Sequence, residues 1–243
     1  MKKNLLALAF LVGLLTCCKS EDAPIKPVKP TDPGSINKEY MSRAETTFAN
    51  IFKYYWSDKV RMMFGSYPNT LGTPQEPSSP DYDSHAYLWG LGSVVSAFNA
   101  IVQNTDNVDF RMTYESRLKE TLLKYYNTTK EPMCFGCFVN PHDQRLYDDA
   151  IWVGIDLADL YSKTKDSWYL DYAKSVWNFV LSGKDDELGG GVYWDENAKD
   201  SKNTCSNAPA VVLALKLYQI TNDAAYLENG KDIYKWTKSK LQD

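Results

Sequence analysis

The sequence predicts an all-α protein built as a toroid of helical hairpins, and three observations carry that prediction. Apolar residues recur at helical spacing in one segment after another, with breaks between them. The segments alternate between ones that are apolar almost all round and ones with a single charged face, the pattern of an inner and an outer ring of helices. Finally, residues 148–183 superpose on residues 205–240 at a shift of 57 residues. That shift brings Leu160-Tyr161 onto Leu217-Tyr218, Thr164 onto Thr221, Asp166 onto Asp223, Tyr169-Leu170 onto Tyr226-Leu227 and Trp177 onto Tyr234. Such self-similarity marks stacked hairpins, in which equivalent positions lie at one end.

The N-terminal 34 residues stand apart from this pattern. Met1-Lys2-Lys3 is a basic start, and Leu5 to Leu15 is an apolar stretch of signal-peptide length, too short to span a bilayer. It ends in Leu14-Leu15-Thr16-Cys17-Cys18, which resembles a bacterial lipoprotein signal with Cys18 as the lipidated residue and Cys17 as the alternative. An ordinary cleaved signal peptide is the other reading. The acidic run in Lys19-Ser20-Glu21-Asp22 resembles the export signal of Bacteroidetes surface lipoproteins. We therefore expect residues 1–18 to be a signal peptide, 19–34 a Pro-rich tether, and 35–243 the folded domain, held by lipid at the outer face of the outer membrane.

Seven helices are expected in the domain. The first runs from about Ile36 to Trp56, with Tyr40, Ala44, Phe48, Ile51, Phe52 and Tyr55 on one face. A Pro- and Gly-rich stretch, Ser57 to Asp83, follows at a length usually tied to function. Helix two, about Ser84 to Gln103, is apolar all round and reads as buried, Trp89 included. The third, about Asp109 to Tyr126, is amphipathic. A loop to Tyr147 leads to Asp148-Asp149 and the fourth helix, where Trp152 also reads as core. Asp166 caps the fifth, which stops at Gly183. A loop carrying Gly189-Gly190-Gly191 and Tyr193-Trp194 leads to a sixth helix capped by Asn207, and Asp223 opens the seventh. Long loops enter the inner helices and short ones leave them, so one end of the toroid is the functional face.

Composition narrows the partners. The formal net charge is −4 with 24% charged residues and no long run of one sign, which excludes the basic face that nucleic acid requires. The 17 tyrosines and 7 tryptophans fill cores, and such flat faces also stack on sugars. No metal or other cofactor is expected, because only His85 and His142 are available and their spacing is not that of metal ligands. In an oxidising compartment Cys134 and Cys137 favour a disulfide over a metal site.

Asp148-Asp149 at a helix mouth is a common cap. Two carboxyls in one dry hollow also repel each other, so one keeps its proton, and a carboxylate beside a carboxylic acid is what glycosidic cleavage uses. Both readings stand on spacing alone. Tyr193 and Trp194 are loop packing or sugar contacts, Asn207 is a cap or a contact, and His85 at the mouth of helix two either reaches a sugar hydroxyl or is plain surface.

Longer motifs bear on the choice. Tyr147-Asp148-Asp149-Ala150-Ile151-Trp152 with Asp156-Leu157-Ala158-Asp159-Leu160-Tyr161 resembles the core motif of glycoside hydrolase family 76, the α-1,6-mannanases. Gly189-Gly190-Gly191-Val192-Tyr193-Trp194-Asp195 is similar to that family's Gly-Gly-aromatic loop, and residues 202–209 to its Lys-Asn-x-x-Ser-Asn-Gly-Pro segment, with Ala208 in place of Gly. The resemblance implies an (α/α)6 barrel that hydrolyses the α-1,6-mannan backbone internally with retention. Asp148 would be the nucleophile, Asp149 the acid/base, and Tyr193, Trp194 and Asn207 would line sugar subsites. The same residues serve transglycosylation, and a non-catalytic glycan-binding lipoprotein is the rival class. Seven helices where that barrel has twelve imply an incomplete toroid.

Overall fold

A computed structural model describes residues 33–68, 85–139 and 144–242. The expected signal peptide, Cys18 and most of the expected tether lie outside them, as does most of the long loop before the second helix. The chain divides into two units, residues 1–39 and residues 40–243. Among the described residues it forms seven α-helices: α1 (Pro33–Tyr55), α2 (Leu88–Asn104), α3 (Val108–Tyr125), α4 (Tyr147–Thr164), α5 (Ser167–Ser182), α6 (Thr204–Thr221) and α7 (Ala224–Leu241). Two short antiparallel pairs were not expected: β1 (Trp56–Ser57) with β2 (Met62–Met63), and β3 (Tyr126–Asn127) with β4 (Cys134–Phe135).

The inner and outer rings are as the hydropathy pattern predicts. α2 packs on α4 and α4 on α6, while α5 and α7 lie outside α4 and α6. Close approach is possible because α4 carries Gly154, where a Cβ would come within 2.9 Å of Val176 and 3.1 Å of Leu213. Beyond this contact the inner helices share a polar seam. Ser96 Oγ donates to Asp156, Asn99 Nδ2 to the same carboxylate at 2.8 Å, and Lys216 Nζ to Asp159 at 2.5 Å. Asp156 is buried, and these donors satisfy its oxygens as burial of a carboxylate requires. The apolar core continues into the cluster of Phe48, Phe52, Phe98, Phe110 and Tyr114, which joins α1, α2 and α3.

The repeat extends to the backbone of the turns. Lys165 and Asn222, 57 residues apart, both end their helices in the left-handed region, at φ 61° and φ 57°. Each is followed by an aspartate whose carboxylate accepts the N–H of the residue two further on, Trp168 for Asp166 and Ala225 for Asp223, both at 3.0 Å. Thr164 and Thr221 each donate to the carbonyl four residues back at 2.7 Å.

Three boundaries move. α1 begins at Pro33, so the last two residues of the expected tether are helical; proline suits a first helical position. α2 begins at Leu88 rather than about Ser84, because Ala86 N donates to Met63 O and Leu88 N to Cys137 O, which holds this entry extended. α6 begins at Thr204, three residues before the expected cap. None of the described helices is long and apolar enough to cross a membrane.

Candidate active site

Asp148 and Asp149 are the second and third residues of α4, in the turn whose backbone N–H groups have no partner within the helix and favour negative charge. Their surroundings differ. Asp149 is buried, and burial, together with the neighbouring Asp148 charge, pushes its pKa up from 3.8 to about 6. The Cys137 thiol donates to it; burial and Asp149 push that thiol up to about 12, so it stays a donor. Asp148 Oδ2 instead accepts the indole N–H of Trp194 at 3.3 Å. Asp148 Oδ1 is shielded from solvent and has no partner in hydrogen-bond geometry among the described residues, while the Cys205 thiol lies beside the carboxylate. One turn thus holds a carboxyl that keeps its proton to about pH 6 beside a second that the Trp194 indole tethers. A proton donor and a nucleophile can be drawn from such a pair.

Trp194 reaches Asp148 because residues 192–195 are stitched between two elements. Val192 bridges to Lys184 and Asp195 to Leu146. Tyr147 N donates to Trp194 O at 3.0 Å, so the start of α4 and the tryptophan share a backbone hydrogen bond. The turn before it is held from beneath by Lys202, whose fully buried ammonium donates to Asp185 Oδ1 at 2.6 Å, Glu187 O at 2.8 Å and Gly190 O at 2.9 Å. Glycine is needed there. Gly191 has φ 79° and a Cβ would fall 2.4 Å from the Trp236 ring of α7. Arg145, also fully buried, pairs with Glu196 and donates to Pro132 O at 2.7 Å, fixing the entry to α4 from the other side.

The other residues singled out in the sequence fall in different places. Asn207 is not the cap of α6 and does not face a ligand: it is fully buried, its Oδ1 accepting Val192 N at 2.7 Å and its Nδ2 donating to Val192 O at 2.8 Å. This clamp uses the amide that a sugar contact would need. Tyr193 is 4% exposed, its ring under Lys202 at 4.4 Å and its hydroxyl bonded to Asp185, so loop packing is its role. His85 is half-buried in the extended entry to α2, and burial together with the charge of Lys124 on α3 lowers its pKa. Of the expected sugar contacts, Trp194 alone meets an acid of the pair.

The cysteines and two tryptophans depart from expectation. Cys134 and Cys137 are free and buried, not a disulfide, because Cys134 turns into the core from β4 while Cys137 turns to Asp149. Cys205, the repeat partner of Asp148, has its thiol beside that carboxylate; burial and the Asp148 charge raise its pKa. Trp89 and Trp152, read as core, are 57% and 43% exposed. Their helices are inner ones, but these side chains point to the open side, which an all-round apolar pattern cannot distinguish from the packed one. Trp152 lies one turn beyond Asp148 on the same helix face. The contact of Cys137 with Asp149 had no sequence signal, whereas the repeat alignment does place Cys205 opposite Asp148.

The family description "Glycosyl hydrolase family 76" matches residues 39–243. Among solved structures, a family 76 glycoside hydrolase from a bovine strain of Bacteroides thetaiotaomicron is 30% identical with a TM-score of 0.73, over 84% of this chain and 42% of that one. A family 76 mannosidase from Bacteroides thetaiotaomicron is 25% identical with a TM-score of 0.72, over 84% of this chain and 55% of that one. A third neighbour is an α-1,6-mannanase of Salegentibacter sp., solved as an inactive variant in complex with α-1,6-mannotriose. It is 23% identical with a TM-score of 0.63, over 85% of this chain and 52% of that one, and speaks to the fold. The chain spans about half the length of these structures. No curated protein matches it.

Proposed function

Because the chain belongs to glycosyl hydrolase family 76, we propose that it cleaves α-1,6-mannosidic bonds within a mannan backbone, with retention at the anomeric carbon. The observation that carries this reading is the unequal pair in the first turn of α4, with Asp149 proton-bound to about pH 6 beside Asp148. Support comes from the neighbours: one is named a mannosidase, and the Salegentibacter mannanase, bound to α-1,6-mannotriose, is inactive with two consecutive aspartates changed to asparagine.

On this reading Asp148 attacks the anomeric carbon while Asp149 gives its proton to the departing glycosidic oxygen. A mannosyl ester on Asp148 results. Asp149, now ionised, takes a proton from water, which attacks the same carbon, displaces Asp148 and returns the starting configuration. Trp152, exposed one turn inward from Asp148, offers a flat face to the pyranose. The anchor at Cys18 and a place at the outer cell surface, carried by residues 1–34 of the sequence, complete the proposal, and loss of lipid labelling in C18A tests that part.

The test of the chemistry is incubation with linear α-1,6-mannan. Wild-type protein is expected to release short oligosaccharides whose new reducing ends are first seen by NMR as the α-anomer. D148N and D149N are each expected to lose nearly all rate. Full activity in either variant, or a β-anomer as first product, contradicts the assignment.

A further inference from the structure

We infer that Trp194 is a positioning residue that holds Asp148 for attack: its indole N–H donates to Oδ2 and fixes the plane of the carboxylate. The inference rests on the proposed role of Asp148 as nucleophile. Two separate observations carry it. The first is the hydrogen bond from Trp194 Nε1 to Asp148 Oδ2 at 3.3 Å. The second is that Asp148 Oδ1 is shielded from solvent, with the Cys205 thiol beside the carboxylate and no other donor in hydrogen-bond geometry to that oxygen among the described residues, so the Trp194 N–H is the contact that orients the group.

The surrounding lattice explains how an exposed loop tryptophan holds an acid on a helix. Asn207 in α6 clamps both polar groups of the Val192 backbone. Lys202 ties Asp185, Glu187 and Gly190 together beneath the turn. Trp194 itself accepts Tyr147 N from the first residue of α4 and donates its own backbone N–H to Ser201 O at 3.1 Å. Indole and carboxylate are thus both fixed to the same short stretch of backbone. At 38% exposure the Trp194 ring also has an open face. A stacking role is therefore the alternative that the experiment must separate.

Phenylalanine at this position keeps a flat ring and removes the donor. Losing one hydrogen bond to a charged group corresponds to a rate lower by about ten- to a hundredfold. In W194F we expect kcat on α-1,6-mannotetraose to fall by that factor with KM within about twofold of wild type. β-(3-Benzothienyl)alanine at position 194, which replaces the N–H by sulfur in the same ring shape, is expected to match W194F, so impaired packing is not the cause. In 15N–1H NMR spectra the Trp194 indole proton is expected downfield of those of Trp89 and Trp152, and to return toward them in D148A.

Wild-type activity in W194F, or a raised KM with kcat unchanged, overturns the inference and leaves the hydrolase reading in place. An indole resonance unmoved by D148A overturns it as well. Wild-type protein that cleaves no α-1,6-mannan overturns the proposed function, and this inference falls with it.

Discussion

Replacing Asp149 by asparagine is expected to abolish activity and to stabilise the protein, by an amount that depends on pH. Folding raises the pKa of this carboxyl from 3.8 to about 6, so the folded state binds its proton more tightly than the unfolded chain does. At pH values below about 4 both states carry the proton and the group is neutral in its effect. Between about 4 and 6 the unfolded chain ionises first, and stability falls as pH rises. Above about 6 the penalty is complete, about 3 kcal/mol at ~1.4 kcal/mol per pH unit. Asparagine carries no charge and keeps an oxygen for the Cys137 thiol, so D149N recovers most of it. For a domain of this size that corresponds to a melting temperature higher by roughly 5–10 °C at pH 8. Thermal unfolding of wild type and D149N, followed by circular dichroism from pH 4 to pH 8, measures the difference directly. A gap that opens with rising pH is the expected result. A D149N protein less stable than wild type at pH 8, or a difference independent of pH, refutes the claim that Asp149 is held protonated by burial beside Asp148.

Three further outcomes follow from the same geometry. N207A leaves the buried N–H and C=O of Val192 without partners and is expected to cost about 2–4 kcal/mol in urea unfolding. N207D is expected to be no better, because it sets a second acceptor against Val192 O. K202M strips the donor from Asp185, Glu187 O and Gly190 O and is expected to cost about 2–4 kcal/mol, with kcat reduced in the fraction that stays folded. In the pH profile of kcat/KM the alkaline limb is expected near pH 6, where Asp149 loses the proton that the leaving oxygen needs; a rate flat from pH 5 to pH 8 excludes it as general acid.

Much of the architecture is written in local pattern. The buried and half-exposed helices, the Asp166 and Asp223 caps and the paired threonines each depend on a few neighbouring residues, so they repeat at a fixed interval and are readable in the chain. The acid pair is readable for the same reason, since two carboxyls at a helix start are a local arrangement. What escapes the sequence depends on distant contacts. Asn207 has the composition of a cap, but α6 begins three residues earlier and turns the amide onto Val192. Trp194 has the composition of a sugar platform, yet its indole reaches a residue 46 positions away. The neighbouring cysteines of the Cys-Phe-Gly-Cys segment suggest a bond between them, and the fold separates them into the core and toward Asp149. Trp89 and Trp152 show a further limit: hydropathy marks inner helices but not which side of each is covered.

The division of labour between the two acids is tested most directly by azide rescue. The measurement uses a dinitrophenyl α-1,6-mannotrioside, whose leaving group departs without a proton. D149A is expected to form the mannosyl ester on Asp148 and then wait, so that added azide restores turnover and yields the α-mannosyl azide. D148A, lacking the nucleophile, is expected to yield only the β-azide or nothing. An α-azide from D148A, or a D149A protein as inert on this substrate as on mannan with or without azide, contradicts the assignment of Asp148 as nucleophile and Asp149 as proton donor.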